Sequence, residues 1–471
     1  MSAAAALAVA AALAGCGTTT YFAGRALPPS GLKNRVLIAI QNPSTFTKGA
    51  LQFVDAYYDI RSSYNDKVGQ FSISGYSAAL PISIQNMPEE QLGAVYGSGD
   101  GSLTMVSYAK ESASGSISGL NGLSDSVFLT RNQAYAFAAN EAAHVFTVVD
   151  KVSGSSYPFN LPGVYRVSVN AGGSAAVAFV RNSNAVYYPR KLTSAQTISY
   201  SAGPGSWPTG AVDCEPQNVP GWCLFQAQDP QTGKALNFDR PIKAIFSADG
   251  GTAYVLNCGP ECGGVNASVT PIPVAPMIFL IGQQSGSMPT QAALNSASIA
   301  TPGGASNALL NGQTLYVVGQ QPIAAGTQTL FGGNLTVVNL ANSTASAPNS
   351  ISDGAPGAVS RMILADDNTL WVGMTKCING PRYNTGQPYG CLTMFNTATN
   401  KVTMLESYLG DLTGIAAVTG LHKIYVAQGG QVYIYLTADG SSIDNQYVTV
   451  TGTAYDVAYM DALTDGDNTV Y

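Results

Sequence analysis

Charge is what this sequence has least of. Asp, Glu, Lys and Arg make up 10% of its 471 residues, against about a quarter in an average soluble chain. The 21 Lys and Arg form no dense patch and the net charge is −6. The basic surface that neutralises phosphates is missing, which excludes nucleic acid as a partner. Histidine is nearly absent: with only His144 and His422, a Ser-His-Asp triad or a histidine-ligated haem or copper lacks its usual residues. His144 opens an apolar run and His422 sits in a turn, so both read as structural. G-x-S-x-G, Walker and H-E-x-x-H motifs are missing too, so catalytic residues are expected to be none. Beyond the first sixteen residues no apolar run is long enough for a membrane helix. What is abundant points one way. Gly is 51 of 471 and Tyr outnumbers Phe, 25 to 15, a composition for many short strands joined by tight turns.

The N-terminus "MSAAAALAVAAALAGC" combines a short apolar core with small residues before Cys16. It is too short to span a bilayer stably and suits an export signal. Leu13-Ala14-Gly15-Cys16 resembles the bacterial lipobox, in which the cysteine accepts a lipid and becomes the mature N-terminus. No Lys or Arg precedes the apolar run, a departure from the usual basic leader. The resemblance implies a lipid-anchored protein of the bacterial envelope, at the periplasmic side or the cell surface, its only membrane partner being the one the lipid reaches. In enterobacterial lipoproteins an Asp after the cysteine favours inner-membrane retention, so Gly17 points to the outer membrane. Residues 1–16 are thus expected to be a signal and 17–34, rich in Gly, Pro and Thr, a flexible tether.

Six cysteines remain: Cys214, Cys223, Cys258, Cys262, Cys377 and Cys391. An even number of closely spaced cysteines in an exported chain reads as disulfides. Fifteen pairings are open; proximity favours 214–223, 258–262 and 377–391. The spacing of "CGPEC" does not match a zinc knuckle.

A repeat occupies nearly everything after residue 34. "PIKAIFSADGGTAYVLN" (241–257), "ASNALLNGQTLYVVG" (305–319), "VSRMILADDNTLWVG" (359–373) and "LTGIAAVTGLHKIYVAQ" (412–428) each pair an apolar strand with a polar turn and a T-x-Y-V-like strand. A third strand and turn follow, as in "NLTVVNLANSTAS" (334–346). The pattern resembles a β-propeller blade, and its strands resemble the YVTN-type repeat of bacterial extracytoplasmic propellers. The resemblance implies an all-β single propeller of four-stranded blades over 35–471. Inner strands are expected near Pro81, Asp125, Val164, Pro241, Ala305, Val359, Leu412 and Tyr455, eight by count with seven possible. "AYDVAYMDAL" (454–463) looks like an inner strand without downstream partners, and "RVLIAIQ", "ALQFVDAYYDI" and "VGQFSIS" look like outer strands without an inner one. Joining the two ends would close the ring and remove an exposed edge.

Long insertions are expected at 258–276, 319–333 and 376–390, between second and third strands, and at 201–239, between blades. All would rise on one face and carry the six cysteines, Cys391 at the edge of the last. Trp207, Trp222, Arg382, Tyr383 and Tyr389 lie in them, aromatics beside an arginine that suit recognition. The leading expectation is therefore a binding or scaffold module for a protein, peptide or envelope glycan. The alternatives are a propeller hydrolase, lactonase or dehydrogenase with a calcium-assisted central site, and a structural component of an envelope complex. No cofactor is expected under the first reading. "DALTDGDN" offers Asp461, Asp465 and Asp467 as a loose calcium loop without its closing Glu.

Overall fold

A computed structural model describes residues 24–60, 71–120, 126–217, 220–325, 328–352, 357–377, 389–405 and 410–464. For 324, 325, 328, 329, 376, 389 and 444–447 it describes the backbone only. The strands assemble into eight antiparallel sheets. Seven follow one another along the chain, with inner strands Pro81–Met87, Ser126–Leu129, Val164–Val169, Pro241–Phe246, Asn307–Asn311, Ala358–Ala365 and Leu412–Val418. The eighth, blade 1 here, is built from both ends: Thr453–Tyr459 is its inner strand, followed outward by Arg35–Gln41 and Gly49–Asp55. A bridge between Gln52 and Ser72 continues it outward. Inner strands of successive blades lie side by side around the ring, and that of blade 8 lies against that of blade 1. The chain is an eight-bladed β-propeller.

Six sheets build from the inner strand outward in chain order and blade 4 does so through its third strand, mostly through short polar turns that reverse the chain. Asp, Asn and Gly fill those turns. His144 and His422, with φ of 60° and 55°, occupy left-handed positions of this kind and are exposed. Strand faces carry Val, Ile, Leu, Phe and Tyr that are buried between blades, each blade covering its neighbour. Inner strands diverge from one another, so side chains satisfy their free backbone groups. Leu129 N donates to Gln85 Oε1 and Gln85 Nε2 to Leu129 O, both at 2.7 Å. Ala244 N donates to Ser168 Oγ at 3.1 Å.

Ring closure is fixed by buried charge as well as by strand pairing. The Arg35 side chain, 1% exposed, donates to both carboxylate oxygens of Asp461, at 2.6 and 3.0 Å. It also reaches Glu111 at 2.8 Å and the Tyr108 carbonyl at 2.8 Å. Burial opposes the guanidinium charge, yet Asp461 and Glu111 hold its pKa above the ordinary value. Asp461 is therefore a latch residue whose carboxylate is paired with the Arg35 guanidinium; Asp465 and Asp467 lie outside the described residues. The expected tether is also engaged from residue 24 onward. Arg25 Nη2 donates to the Pro88 carbonyl, and Ser30 donates to Glu111 through its amide and hydroxyl. The signal and lipidation residues 1–16, with Cys16, lie outside the described residues.

The disulfides are Cys214–Cys223, Cys258–Cys262 and Cys377–Cys391. Their placement corrects the expectation that all insertions share one face. The fourth strand of blade 4 is Trp222–Gln226, with Ala211–Glu215 as a fifth outside it. Residues 192–221 thus join a third strand to a fourth, on the end of the ring opposite the second-to-third connections. Cys214 and Cys223 sit directly opposite each other in this outer ladder. The run 319–333 is not a loop either: Thr314–Ala325 and Gln328–Asn339 form one long hairpin. The 258–267 connection remains on the face where inner strands begin, and residues 378–388 lie outside the described residues.

Candidate functional site

Six inner strands carry a β-bulge at the same place. Pairing with the second strand skips one residue at Ile82, Tyr165, Ile242, Ser360, Thr413 and Tyr455. A bulge re-aims the side chains around it. The residues just after it are Ser83, Arg166, Lys243, Arg361, Gly414 and Asp456. In blade 6, which pairs without a skip, Asn307 opens the strand in the corresponding place. The bulge thus sets polar or small residues where the inner strands would otherwise continue as apolar runs.

These positions surround a central cavity of ≈ 370 Å³ to which all eight inner strands contribute. Its lining includes Ser83, Arg166, Lys243, Asn307, Arg361 and Asp456. It sits toward the start of the inner strands, the end of the ring that also carries the 258–267 connection. Glu261 in that connection accepts a hydrogen bond from the Gln320 amide at 3.0 Å.

The charges of the lining act on one another. Burial pulls the Lys243 ammonium down to about 7, and Arg166 and Arg361 add to the effect. Its Nζ donates to Asn307 Oδ1 at 2.7 Å. Burial likewise lowers Arg166, with Arg181 and Arg361 contributing. Glu261 is raised to about 7 by burial, against the lowering pull of the Gln320 amide and Arg166. Asp456 is raised by burial, against lowering by Arg361 and the Ile84 and Val457 amides. Those amides donate to it at 2.8 and 3.0 Å, while Arg361 Nη2 stands 3.8 Å away. Gly414, in blade 8 between Arg361 and Asp456, leaves the space for that approach. A Cβ there would meet Asp456 Oδ1 at 2.5 Å and the Val457 amide nitrogen at 2.8 Å.

Of the residues expected to form a binding face, the side chains of Trp207 and Trp222 are described, both on blade 4. Trp222 is fully buried, its ring against Tyr135, Tyr157 and Phe279. It belongs to a strand whose alternation turns it into the seam with blade 3. Trp207 is half-buried against the core on the 192–221 connection. Arg382 and Tyr383 lie outside the described residues. Tyr389 pairs through its backbone with Cys377, and its side chain lies outside the described residues. The channel residues were missed although their signal is in the quoted repeats: "PIK", "VSR" and "AYD" each place a charge third in an otherwise apolar strand. Among the described residues no three His, Cys, Asp or Glu cluster as metal ligands. Asp456 is the carboxylate in the channel lining.

No family model matches the chain, nor does any curated protein. Solved structures resemble it at low identity. The Pseudomonas aeruginosa periplasmic gluconolactonase matches with a TM-score of 0.49 and 13% identity, over 90% of this chain and 98% of that one. The dihydro-heme d1 dehydrogenase NirN gives 0.48 and 10%, over 91% and 75%. Kuenenia stuttgartiensis hydrazine synthase gives 0.46 and 13%, over 82% and 95%. The ring itself rests on the strand pairing described above, and the ligands of these proteins say nothing about this chain's.

Proposed function

We propose that this chain is an envelope lipoprotein, anchored through Cys16, whose propeller is a binding module with its ligand seated in the central cavity. The observation that carries the binding site is the convergence of post-bulge side chains from separate blades on one cavity. Its size falls in the range of small-molecule sites, so the occupant is a small molecule or the tip of a peptide or glycan. Three disulfides support export, because such bonds persist in oxidising compartments.

Each half of the proposal has its own test. Cys16→Ala should move the protein from the membrane fraction to the soluble one and abolish lipid labelling; an unchanged distribution overturns the anchor. Protein isolated from its own envelope should carry a ligand mass in native mass spectrometry that Ser83→Trp, which fills the cavity, removes. A ligand retained equally by wild type and Ser83→Trp, or none carried by wild type, overturns the cavity as the binding site. Photo-crosslinking from exposed Val265, on a connection at the end where inner strands begin, should then capture neighbours that exposed Val152, at the opposite end, does not.

A further inference from the structure

Several buried basic side chains elsewhere in this protein are held by acids at close range. Arg35 has Asp461 and Glu111, Lys191 has Asp150 at 2.6 Å, and Lys423 has Asp59 at 2.6 Å. The channel cluster differs from these pairs. Among the described residues Arg166 and Lys243 have no carboxylate within ion-pair distance, and Arg361 has Asp456 only at 3.8 Å. Three cations and one carboxylate line the cavity, an excess of two positive charges when Lys243 is protonated. Clustering like charges out of bulk water is unfavourable in the empty protein. Placing them at equivalent positions of blades 4, 5 and 7 makes the cluster a property of the ring and not of one loop.

The donors suit one chemistry. Arginine forks bind carboxylate and phosphate oxygens in pairs, and an ammonium adds a point charge. Ser83 in the lining supplies a neutral hydroxyl for the rest of a ligand, while the Ser306 and Ser360 hydroxyls donate to backbone carbonyls. We propose that the cavity binds a small organic oxyanion carrying two acidic groups, gripped by Arg166 and Arg361 from two sides with Lys243 as the third donor. This inference rests on the cavity being the binding site and adds the class of ligand.

Calorimetry on the purified full chain at low salt tests it, with citrate as the carboxylate probe, inorganic phosphate as the phosphate probe and glucose as the neutral control. Citrate or phosphate should bind and glucose should not; the better of the two names the acid group. Arg166→Gln and Arg361→Gln should each weaken binding about 10–100-fold, the usual effect of deleting a charge-assisted hydrogen bond. Arg166→Lys should fall between wild type and Arg166→Gln. Thermal unfolding of the ligand-free variants checks folding, and Arg166→Gln should melt no lower than wild type because it relieves repulsion. The oxyanion is overturned if neither probe binds in the millimolar range, or if the Gln variants bind them as wild type does. The two readings separate cleanly. A native ligand displaced by Ser83→Trp but untouched by Arg166→Gln leaves the binding module and removes the oxyanion, whereas a ligand that survives both removes both.

Discussion

Two clusters of buried charge stand at opposite ends of the same ring, and they are built on opposite terms. At the end where inner strands finish, Arg35 is enclosed by Asp461, Glu111 and the Tyr108 carbonyl. At the end where inner strands begin, Arg166, Lys243 and Arg361 share a cavity with one carboxylate, Asp456. The first cluster joins the N-terminal strand, the C-terminal strand and blade 2. The second joins nothing that needs joining, since the bulged strands are already held by their ladders. A buried charge that is fully paired is costly to unpair and acts as a lock. A group of like charges without partners stores unfavourable energy until something of opposite sign arrives, which is the signature of a site.

The sharpest way to break this contrast is to remove Arg35. Arg35→Gln should leave Asp461 and Glu111 buried without a cation and cost about 3–5 kcal/mol in chemical unfolding, while citrate affinity of the folded protein stays as in wild type. A loss of affinity with no loss of stability would reverse the assignment of the two clusters. Arg166→Gln is the mirror experiment. Its unfolding free energy should stay within about 0.5 kcal/mol of wild type or rise, and binding should drop by about 1.4–2.8 kcal/mol, the same 10–100-fold.

Gly414→Ala is expected to be milder. The added Cβ pushes on the Asp456 carboxylate and on the blade 1 backbone, for a stability loss of about 1–3 kcal/mol typical of overpacking. It should also part Arg361 from Asp456, and a chloride or citrate titration that tightens would show the freed guanidinium.

The smallest effect concerns pH. Lys243 sits at about 7 when folded, below the value of an unfolded lysine near 10.4. The unfolded chain therefore holds the extra proton between these values, and stability rises with pH across that window. The penalty from Lys243 is complete below about 7 and gone above the unfolded value. Anion binding has the opposite sign, because the ligand favours the protonated amine. Citrate affinity should fall several-fold as pH rises through about 7, and Lys243→Met should flatten the fall. Glu261, also near 7, works in the same direction by becoming an anion that acts on Arg166. A flat profile in wild type would remove Lys243 from the site.

Much of the ring was legible because its determinants are local. Pro81, Val164, Pro241 and Leu412 begin inner strands where the repeat places them, and Asn307, Ala358 and Thr453 do so within two residues. Closure between the two ends was readable from strands that lacked partners. The error over 201–239 has a physical source as well. "WCLFQ" looks like a loop because its cysteine and tryptophan suggest an insertion, yet its continuous apolar run is that of a ladder strand buried on both faces. The same mistake turned Trp222 outward on paper when packing against Phe279 turns it inward.

The sequence by itself determined the strands, their turns, the repeat and the closure, since hydrophobic alternation and turn chemistry act between neighbours in the chain. It also held the third-position residues Arg166, Lys243, Arg361 and Asp456, but only as isolated charges in apolar strands. The tertiary structure decided that they meet. A one-residue bulge repeated in six blades and an eightfold ring bring positions some 290 residues apart, from Arg166 to Asp456, to one cavity. Which buried charges are paired and which are left to a ligand is a property of that convergence, because electrostatic energy depends on distance in space and not along the chain.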